Sequence, residues 1–283
     1  MKYTFFGSPR FAAIILEKLI AAGLPPALVV CNPDRPVGRK KIITPPTVKA
    51  RIMNYESGIR DKIKIIQPEK LASSLFMLPD SRFDFAVVAA YSQILPLEII
   101  KNFKLGMIGV HPSLLPQYRG ATPIQSVILN GEIETGATLF LIDEKVDHGP
   151  ILENRKQKIE NNDNYETLEK KLAELSADLL IETLPKFIKS EIRSKPQNEK
   201  FATLTKKFSA EDAFIEPTHL VKAQEMEGKS AAEIDRKIRA FQTEPGAWTI
   251  IKEKRTKLLE AEIVDGKLKL KKIQIEGKKP TSV

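Results

Sequence analysis

Short apolar runs, separated by segments with helical periodicity, dominate the first two-thirds of the chain. The runs predict buried strands at 3–6, 27–30, 63–66, 85–89, 107–110 and 137–142. A helix is predicted over 11–22, ended by Gly23, because glycine is common just after a helix. A longer helix is predicted over 165–189, where leucines recur at helical spacing. This alternation is typical of a mainly parallel sheet covered on both faces.

The pattern changes after residue 189. Residues 190–207 have little apolar periodicity and are predicted to be a linker. Beyond them the sequence predicts a helix over 231–241 and strands over 248–251, 258–263 and 268–275, with a turn at Asp265-Gly266. We therefore expect an α/β domain (1–189), a linker (190–207) and a small β-rich domain (208–283).

Composition narrows the class of protein. Hydrophobic residues make up 42% and charged residues 29% of the 283 residues, which is typical of a soluble globular protein. The sequence lacks a long apolar run and a signal peptide, so a cytoplasmic location without membrane insertion is expected. Cys31 is the single cysteine, which excludes an internal disulfide and a cysteine-based metal cluster. The net charge of +9 favours a polyanionic partner, although a lysine-rich surface gives the same balance.

His111 is the leading candidate for chemistry, because it directly follows the predicted strand 107–110. Ligands of open α/β sheets bind at the carboxyl ends of the strands. Asp147 follows the next predicted strand, 137–142, in a similar position. If the two strands are neighbours, both side chains can meet at one edge of the sheet. A carboxylate orients an imidazole and stabilises its charged form, and such a pair can stabilise an oxyanion and move a proton.

Other titratable residues compete for these roles. Asp143 and Glu144 lie in the same polar loop as Asp147 and are alternative carboxylates. His148 is expected to be a loop neighbour, and His219 lies near the predicted linker without an obvious partner.

Two groups of cations suit a phosphate backbone. The first follows the second predicted strand and consists of Arg35, Arg39, Lys40 and Lys41. The second crowds a strand of the second domain and consists of Lys267, Lys269, Lys271 and Lys272, of which alternation would place the first three on one face. Both groups are also compatible with a charged surface that contacts only solvent. The turn after the first strand is neither a dinucleotide-binding fingerprint nor a Walker-type loop, so nothing indicates NAD or ATP.

Motifs along nearly the whole chain coincide with those of one enzyme family. They are 6–12, 33–36 with 38–39 and 46–49, 90–91 with 94–96, His111 with 113–116 and 118–120, 147–149, and 238–241 with 245–248. On these motifs the chain resembles the methionyl-tRNA formyltransferases. The Ser-Leu-Leu-Pro turn at 113–116 is shared with formyltransferases that act on glycinamide ribonucleotide and on sugars, so it indicates the reaction. The basic loop and the second domain indicate the tRNA substrate.

The resemblance implies a Rossmann-like formyltransferase domain followed by a small OB-like barrel. It implies transfer of the formyl group of 10-formyltetrahydrofolate to the α-amine of methionine on initiator tRNA, by a monomer that needs no metal. His111 would donate to the oxyanion, and Asp147 would polarise His111 and help to carry away the amine proton. The folate would be held by Ser113, Leu114, Leu115, Pro116, Tyr91, Gln93, Ile94 and Leu95. The tRNA would be held by Arg35, Arg39, Lys40, Lys41, Lys269 and Lys271.

The chain departs from the family pattern at Gly109, where the resemblance implies an asparagine as third catalytic residue. Loss of one such donor typically costs about 10²- to 10³-fold in rate. Either the site is crippled, or a water fills the space, or another amide such as Gln93 or Gln125 reaches in.

The resemblance also implies a longer second domain, so this one is expected to be shortened. Two alternative functions stay open: formyl transfer to another amine, such as an amino-sugar nucleotide, and folate or tRNA binding with weakened catalysis.

Overall fold

The computed structural model describes residues 2–38, 40–71 and 83–283. The strands are β1 (Tyr3–Phe6), β2 (Leu28–Val30), β3 (Arg35–Val37), β4 (Ile42–Thr44), β5 (Lys64–Ile66), β6 (Phe85–Ala89), β7 (Met107–His111), β8 (Glu134–Leu141), β9 (Ile151–Lys158), β10 (Trp248–Ile251), β11 (Lys254–Val264), β12 (Lys267–Ile275) and β13 (Thr281–Ser282). The helices are α1 (Arg10–Ala21), α2 (Thr47–Met53), α3 (Ser57–Arg60), α4 (Leu97–Ile100), α5 (Pro123–Asn130), α6 (Tyr165–Ile188), α7 (Pro217–Glu225) and α8 (Lys229–Ala240), with a short 3₁₀ helix at Glu199–Phe201.

A seven-stranded sheet organises the first part of the fold, in the order β5-β2-β1-β6-β7-β8-β9. The pairs β2–β5, β1–β2, β1–β6 and β6–β7 are parallel, and the pair β7–β8 is antiparallel. Every residue of β1, β2 and β7 is buried, which explains why these strands are near-continuous apolar runs. The predicted mainly parallel α/β architecture is confirmed.

The predicted elements are confirmed to within a few residues where the apolar pattern is strong. Helix α1 buries its apolar face, from Phe11 to Ile20, and Gly23 adopts a φ of 76° just after it. The amide of Leu24 donates to the carbonyl of Leu19, which closes the helix end. Strands β3, β4 and β9 were not predicted, because each is largely exposed and none has an apolar run longer than two residues.

The described residues form two compact units. The first contains those within 1–119, together with 136–157 and 170–203, and the second contains 120–135, 158–169 and 204–283. The predicted linker is thus shared, with 190–203 in the first unit and 204–207 in the second. The division into domains 1–189 and 208–283 stays a prediction.

The second unit contains the antiparallel sheet β10-β11-β12-β13, which confirms the predicted β-rich region. Ile234 and Ile238 of α8 are buried in one cluster with Leu258 of β11 and Leu268 of β12. The predicted turn at Asp265-Gly266 joins β11 to β12, and both residues have positive φ, as two-residue hairpin turns require. Closure of these strands into an OB-like barrel stays a prediction. No helix in the described part of the chain is long and apolar enough to cross a membrane.

Candidate active site

The structure brings His111 and Asp147 together. His111 is the last residue of β7 and is only 5% exposed. Its Nδ1 lies 3.5 Å from Oδ2 of Asp147, and its Nε2 lies 2.8 Å from the carbonyl oxygen of Tyr118. Because a carbonyl only accepts, Nε2 carries a proton and donates it to Tyr118. The ring is therefore held at Nε2, and Nδ1 faces the carboxylate.

The route by which Asp147 reaches His111 differs from the expected one. Strands β7 and β8 are neighbours, as the prediction required, but they are antiparallel, with Ile108 opposite Leu141 and His111 opposite Thr138. The end of β8 therefore lies beside the beginning of β7. The loop after β8 has to run back along the sheet before Asp147 can contact His111.

The geometry also separates Asp147 from the competing carboxylates. Oδ2 of Asp143 lies 2.6 Å from Nδ1 of His148, so Asp143 is engaged with the histidine expected to be a loop neighbour. Glu144 is exposed. Asp147 is the carboxylate of this loop that the structure places against His111.

Phe140 fills the space beside Gly109. The two residues are opposite each other on β7 and β8, and Phe140 is 4% exposed. A Cβ on residue 109 would lie 2.4 Å from both Cε1 and Cζ of the ring, closer than real contacts allow. The aromatic ring of Phe140 therefore occupies the space that a side chain at position 109 would enter. Residues 109 and 111 project to the same face of the sheet, so the ring lies on the side of β7 that carries His111.

Hydrogen bonds to Thr138 of β8 hold the turn at 113–117. Thr138 donates its hydroxyl proton to the carbonyl of Ser113 over 2.7 Å and accepts from the amide of Leu115 over 3.1 Å. The Ser113 hydroxyl donates to the carbonyl of Gln117. Ser113 and Leu115 are buried, whereas Leu114 and Pro116 are half-buried. Thr138 thus fixes the turn predicted to hold the folate.

The second predicted folate segment, 91–95, follows β6. The Tyr91 ring packs edge-on against Phe6 at 5.5 Å, and burial raises the pKa of its hydroxyl to about 12. Among the described residues this buried hydroxyl has no hydrogen-bond partner. Ile94 is almost fully exposed, and Leu95 packs partly against the core.

Gln93 was one of the amides suggested as a substitute for the missing asparagine. Its Nε2 donates to the carbonyl of Pro68 over 3.0 Å, and its Oε1 accepts from the amide of Leu71 over 3.2 Å. Both ends of this amide are therefore engaged with the 68–71 backbone. Gln125, the other amide considered, lies on α5 in the second unit.

Part of the predicted linker contributes to the site. Arg119, which is 5% exposed, donates to Oε1 of Gln197 from Nε and Nη2, and to both carboxylate oxygens of Glu199. Gln197 in turn donates to the carbonyls of Asp147 and Gly149. The hydrogen bonds from Arg119 lower the pKa of Glu199 below its usual value. Segment 197–199 therefore contacts the loop that carries Asp147.

Three backbone positions near this site adopt the left-handed region. Ala90, Tyr118 and Asp147 have φ values of 48°, 60° and 49°. Such conformations disfavour residues with a Cβ and persist where the surroundings impose them. Tyr118 is held by Thr203, whose hydroxyl accepts from its amide over 2.8 Å.

The first cation group lies on an exposed hairpin made of β3 and β4. Arg35 is on β3 and pairs with Glu69, while Lys40 and Lys41 are exposed in the turn. Arg39 lies outside the described residues.

The base of the hairpin is held by a polar network. Lys49 contacts both carboxylate oxygens of Asp34 over 3.0 and 2.8 Å, and Gln67 donates to Asp34 as well. The hydrogen bonds from Gln67 and Lys49 lower the pKa of the Asp34 carboxyl.

The second cation group lies on β12. Lys267, Lys269 and Lys271 are exposed and alternate with the less exposed Leu268 and Leu270, as the strand pattern predicted. Lys271 and Lys272 pair with Glu262 and Glu260 of β11 at 3.2 and 3.1 Å. Neighbouring carboxylates therefore partly neutralise this surface.

Within residues 2–38, 40–71 and 83–283, no three His, Cys, Asp or Glu side chains come together as metal ligands would. Phe140, Thr138 and Gln197 were not predicted from the sequence as parts of the site. Thr138 and Phe140 lie on a predicted strand, but only strand register shows which residues they face. Gln197 lies in a polar segment without periodicity, so no sequence signal marked it.

Known proteins resemble this chain in sequence. The family described as "Formyl transferase" matches residues 1–184, and "Formyl transferase, C-terminal domain" matches residues 228–271. The methionyl-tRNA formyltransferase of Staphylococcus aureus (strain JH1) is 40% identical over 266 residues, which cover 93% of this chain and 80% of that protein. The methionyl-tRNA formyltransferase of Enterococcus faecalis is 41% identical over 250 residues, which cover 88% and 75%.

Solved structures share the fold. The methionyl-tRNA formyltransferase of Clostridium thermocellum aligns with a TM-score of 0.63 at 16% identity, covering 97% of this chain and 99% of the other. The N-formyltransferase of Helicobacter canadensis, solved with folinic acid and dTDP-3-aminofucose, aligns with a TM-score of 0.61 at 20% identity, covering 97% and 95%.

Proposed function

The chain belongs to the methionyl-tRNA formyltransferase family, and we propose that His111 and Asp147 carry out the family's reaction in it. This enzyme transfers the formyl group of 10-formyltetrahydrofolate to the α-amine of methionine on initiator tRNA. The observation that supports the assignment of residues is the approach of Asp147 to within 3.5 Å of Nδ1 of the buried His111.

In the proposed mechanism the neutral amine attacks the formyl carbon, and a C–N bond forms as the carbonyl oxygen becomes an oxyanion. In this step both ring nitrogens of His111 carry a proton: the Nε2 proton stays on the carbonyl oxygen of Tyr118, and the Nδ1 proton is donated to the oxyanion as a hydrogen bond. Asp147 stabilises the charged imidazole during this step. When the intermediate collapses, the bond to N10 breaks, tetrahydrofolate leaves, and Asp147 relays the amine proton to N10.

We propose that Phe140 changes how the oxyanion is stabilised. With the ring in the space of a side chain at residue 109, His111 is the side-chain donor from β7 in this proposal. Phe140 lies on the face of β7 that carries His111, and we propose that it keeps water from this face. A hydrogen bond to a developing charge is stronger where water is excluded, which offsets part of the lost donor.

The folate and tRNA contacts are proposals as well. We propose that the 113–116 turn and the 91–95 segment hold the folate, since β6 and β7 are parallel neighbours and both segments follow them at one edge of the sheet. We propose that Lys40 and Lys41 bind tRNA phosphates, because the exposed hairpin presents them to solvent. We also propose that the enzyme is a cytoplasmic monomer, consistent with its composition and its single cysteine.

The test is a formyl-transfer assay with charged initiator tRNA. His111→Ala and Asp147→Asn should each lower kcat by about 10²- to 10⁴-fold, since each removes a group that acts on the transition state. The dissociation constant for tRNA should stay within about twofold, because neither side chain is placed at a phosphate contact.

His219→Ala is the matched control, because this exposed histidine lies on α7 in the second unit. It should leave kcat unchanged. Absence of product from the unmodified enzyme, together with tight tRNA binding, would instead support the binding-only alternative. Normal turnover of His111→Ala would refute the assignment of His111.

A further inference from the structure

The loop that carries Asp147 needs an external support. Asp147 has a φ of 49°, an unfavourable conformation for a residue with a Cβ. Its carboxylate lies 3.5 Å from Nδ1 of His111, a separation that depends on how the backbone of the loop aims the side chain. The loop also has to run back along the antiparallel pair β7–β8 to reach His111.

Gln197 supplies that support through the backbone of the loop. Its Nε2 donates one hydrogen bond to the carbonyl of Asp147 over 2.9 Å and a second to the carbonyl of Gly149 over 2.8 Å. Both amide protons of Gln197 are therefore committed to this loop. They hold the 147–148 and 149–150 peptide groups and limit rotation of the backbone that aims the Asp147 side chain.

Gln197 is itself oriented by a buried charge. Nε and Nη2 of Arg119 donate to its Oε1 over 3.1 and 2.7 Å, so the amide cannot turn over without placing NH₂ against the guanidinium. Arg119 is in turn paired with both oxygens of Glu199 over 3.0 and 2.7 Å. Loss of these hydrogen bonds would leave a buried positive charge with fewer partners, which raises the free energy of the folded state. The pairing of Arg119 with Gln197 and Glu199 is therefore favoured.

The same arginine is joined to the other half of the catalytic pair. Its neighbour Tyr118 accepts the hydrogen bond from Nε2 of His111. Thr203 binds the amides of both Tyr118 and Arg119, through its hydroxyl and its carbonyl respectively. One set of hydrogen bonds therefore links the support of His111 to the support of Asp147.

From this geometry we infer that Gln197 is a positioning residue, which sets the Asp147 carboxylate against His111 by holding the 147–149 backbone. The inference rests on the proposed roles of His111 and Asp147. The hydrogen bonds from Gln197 to the loop go to backbone carbonyls, so its effect on the reaction passes through the loop.

Gln197→Glu is the sharpest variant, because it keeps an acceptor for Arg119 and removes both donors to the loop. Loss of precise orientation should lower kcat by about 10- to 100-fold, while KM for folate and tRNA changes by less than about threefold. Gln197→Met, which has a similar shape but neither donor nor acceptor, should lower kcat at least as much. Gln274→Glu is the matched control, because this half-buried glutamine of β12 donates to the backbone carbonyl of Lys278, far along the chain from the 147–149 loop, and the variant should leave kcat unchanged.

A spectroscopic readout separates positioning from general destabilisation. The ring resonances of His111, assigned by their absence in His111→Ala, should move in Gln197→Glu toward their positions in Asp147→Asn. A kcat within twofold of the original enzyme, or ring resonances at their original positions, would overturn the inference. Normal turnover of His111→Ala refutes the proposed mechanism instead, and the ring resonances of His111 still show whether Gln197 sets the position of Asp147.

Discussion

At the scale of single residues, Gly109 and Phe140 are best understood as one unit. The glycine gives the ring room to lie over β7, and the ring fills the space that the missing side chain leaves. The resemblance to the formyltransferases implies an asparagine at position 109. The structure shows that this asparagine would have to displace a buried aromatic side chain.

Gly109→Asn alone should therefore not raise the rate. The added side chain collides with the ring of Phe140, and overpacking of this kind costs about 1–3 kcal/mol in the free energy of unfolding. We expect a lower melting temperature and a kcat no higher than that of the original enzyme. Thermal unfolding and the formyl-transfer assay measure the two effects.

The double variant Gly109→Asn/Phe140→Ala removes the collision. Phe140→Ala alone leaves a cavity and should cost about 3–5 kcal/mol of stability. The asparagine should recover part of this loss and raise kcat above that of Phe140→Ala, so the two changes should be non-additive. Additive effects on stability would show that residues 109 and 140 do not compete for the same space.

At the scale of elements, the sequence predicted buried strands accurately and missed exposed ones. Strands such as β1, β6 and β7 were predicted within a residue because both faces are buried and the apolar run is continuous. The hairpin β3–β4 and the edge strand β9 were missed because their residues are exposed and polar neighbours interrupt the pattern.

For the candidate site, the sequence located His111 and Asp147 but not what holds them. Their positions next to strands gave the signal. The parts played by Gln197, Thr138 and Phe140 depend on hydrogen bonds and register between residues distant in the chain. The segment 190–207 was predicted to be a linker because it has no apolar face. Polar contacts hold it instead, such as those of Gln197 with Arg119 and of Thr203 with Tyr118.

The pair Arg119–Glu199 makes the stability of this segment depend on pH. Hydrogen bonds from Arg119 lower the pKa of Glu199 in the folded state, so the ionised carboxylate stabilises the fold at any pH above its unfolded pKa. This contribution is lost as the pH falls through the lowered folded pKa. Glu199→Gln should melt at a lower temperature than the original enzyme at pH 7, and the difference should shrink toward pH 3.

Melting temperatures of both proteins across about pH 3 to 7 test this expectation. Glu233→Gln is the control for loss of one negative charge, because Glu233 is exposed on α8. A difference between the original enzyme and Glu199→Gln that is constant across this range would contradict the ion pair as its cause.

At the scale of the whole molecule, the net charge of +9 does not show where a polyanion binds. A groove of about 950 Å³ in the second unit runs along α8 and β11, and its charged lining has five carboxylates against three cations. The charged groups are Glu132, Glu160, Asp235, Glu260, Glu262, Arg236, Arg239 and Lys271. This groove does not suit a phosphate backbone, so the exposed hairpin lysines are the better candidates.

Two double variants with the same loss of charge can separate these surfaces. Lys40→Ala/Lys41→Ala removes two exposed cations from the hairpin, whereas Lys271→Ala/Lys272→Ala removes two that already pair with Glu262 and Glu260. Each phosphate contact adds roughly 0.7–0.9 to the slope of the logarithm of the binding constant against the logarithm of salt concentration. The hairpin variant should therefore weaken initiator tRNA binding and lower the magnitude of this slope by about 1–2.

The β12 variant should change the slope by less than half as much, because its lysines are already neutralised by neighbouring carboxylates. Titrations of tRNA at several salt concentrations between about 50 and 200 mM give both slopes. Equal slopes for the two variants would mean that tRNA responds only to total charge. A larger effect of the β12 variant would place the phosphate contacts on the second unit, where Lys269 and Lys271 were also predicted to bind tRNA.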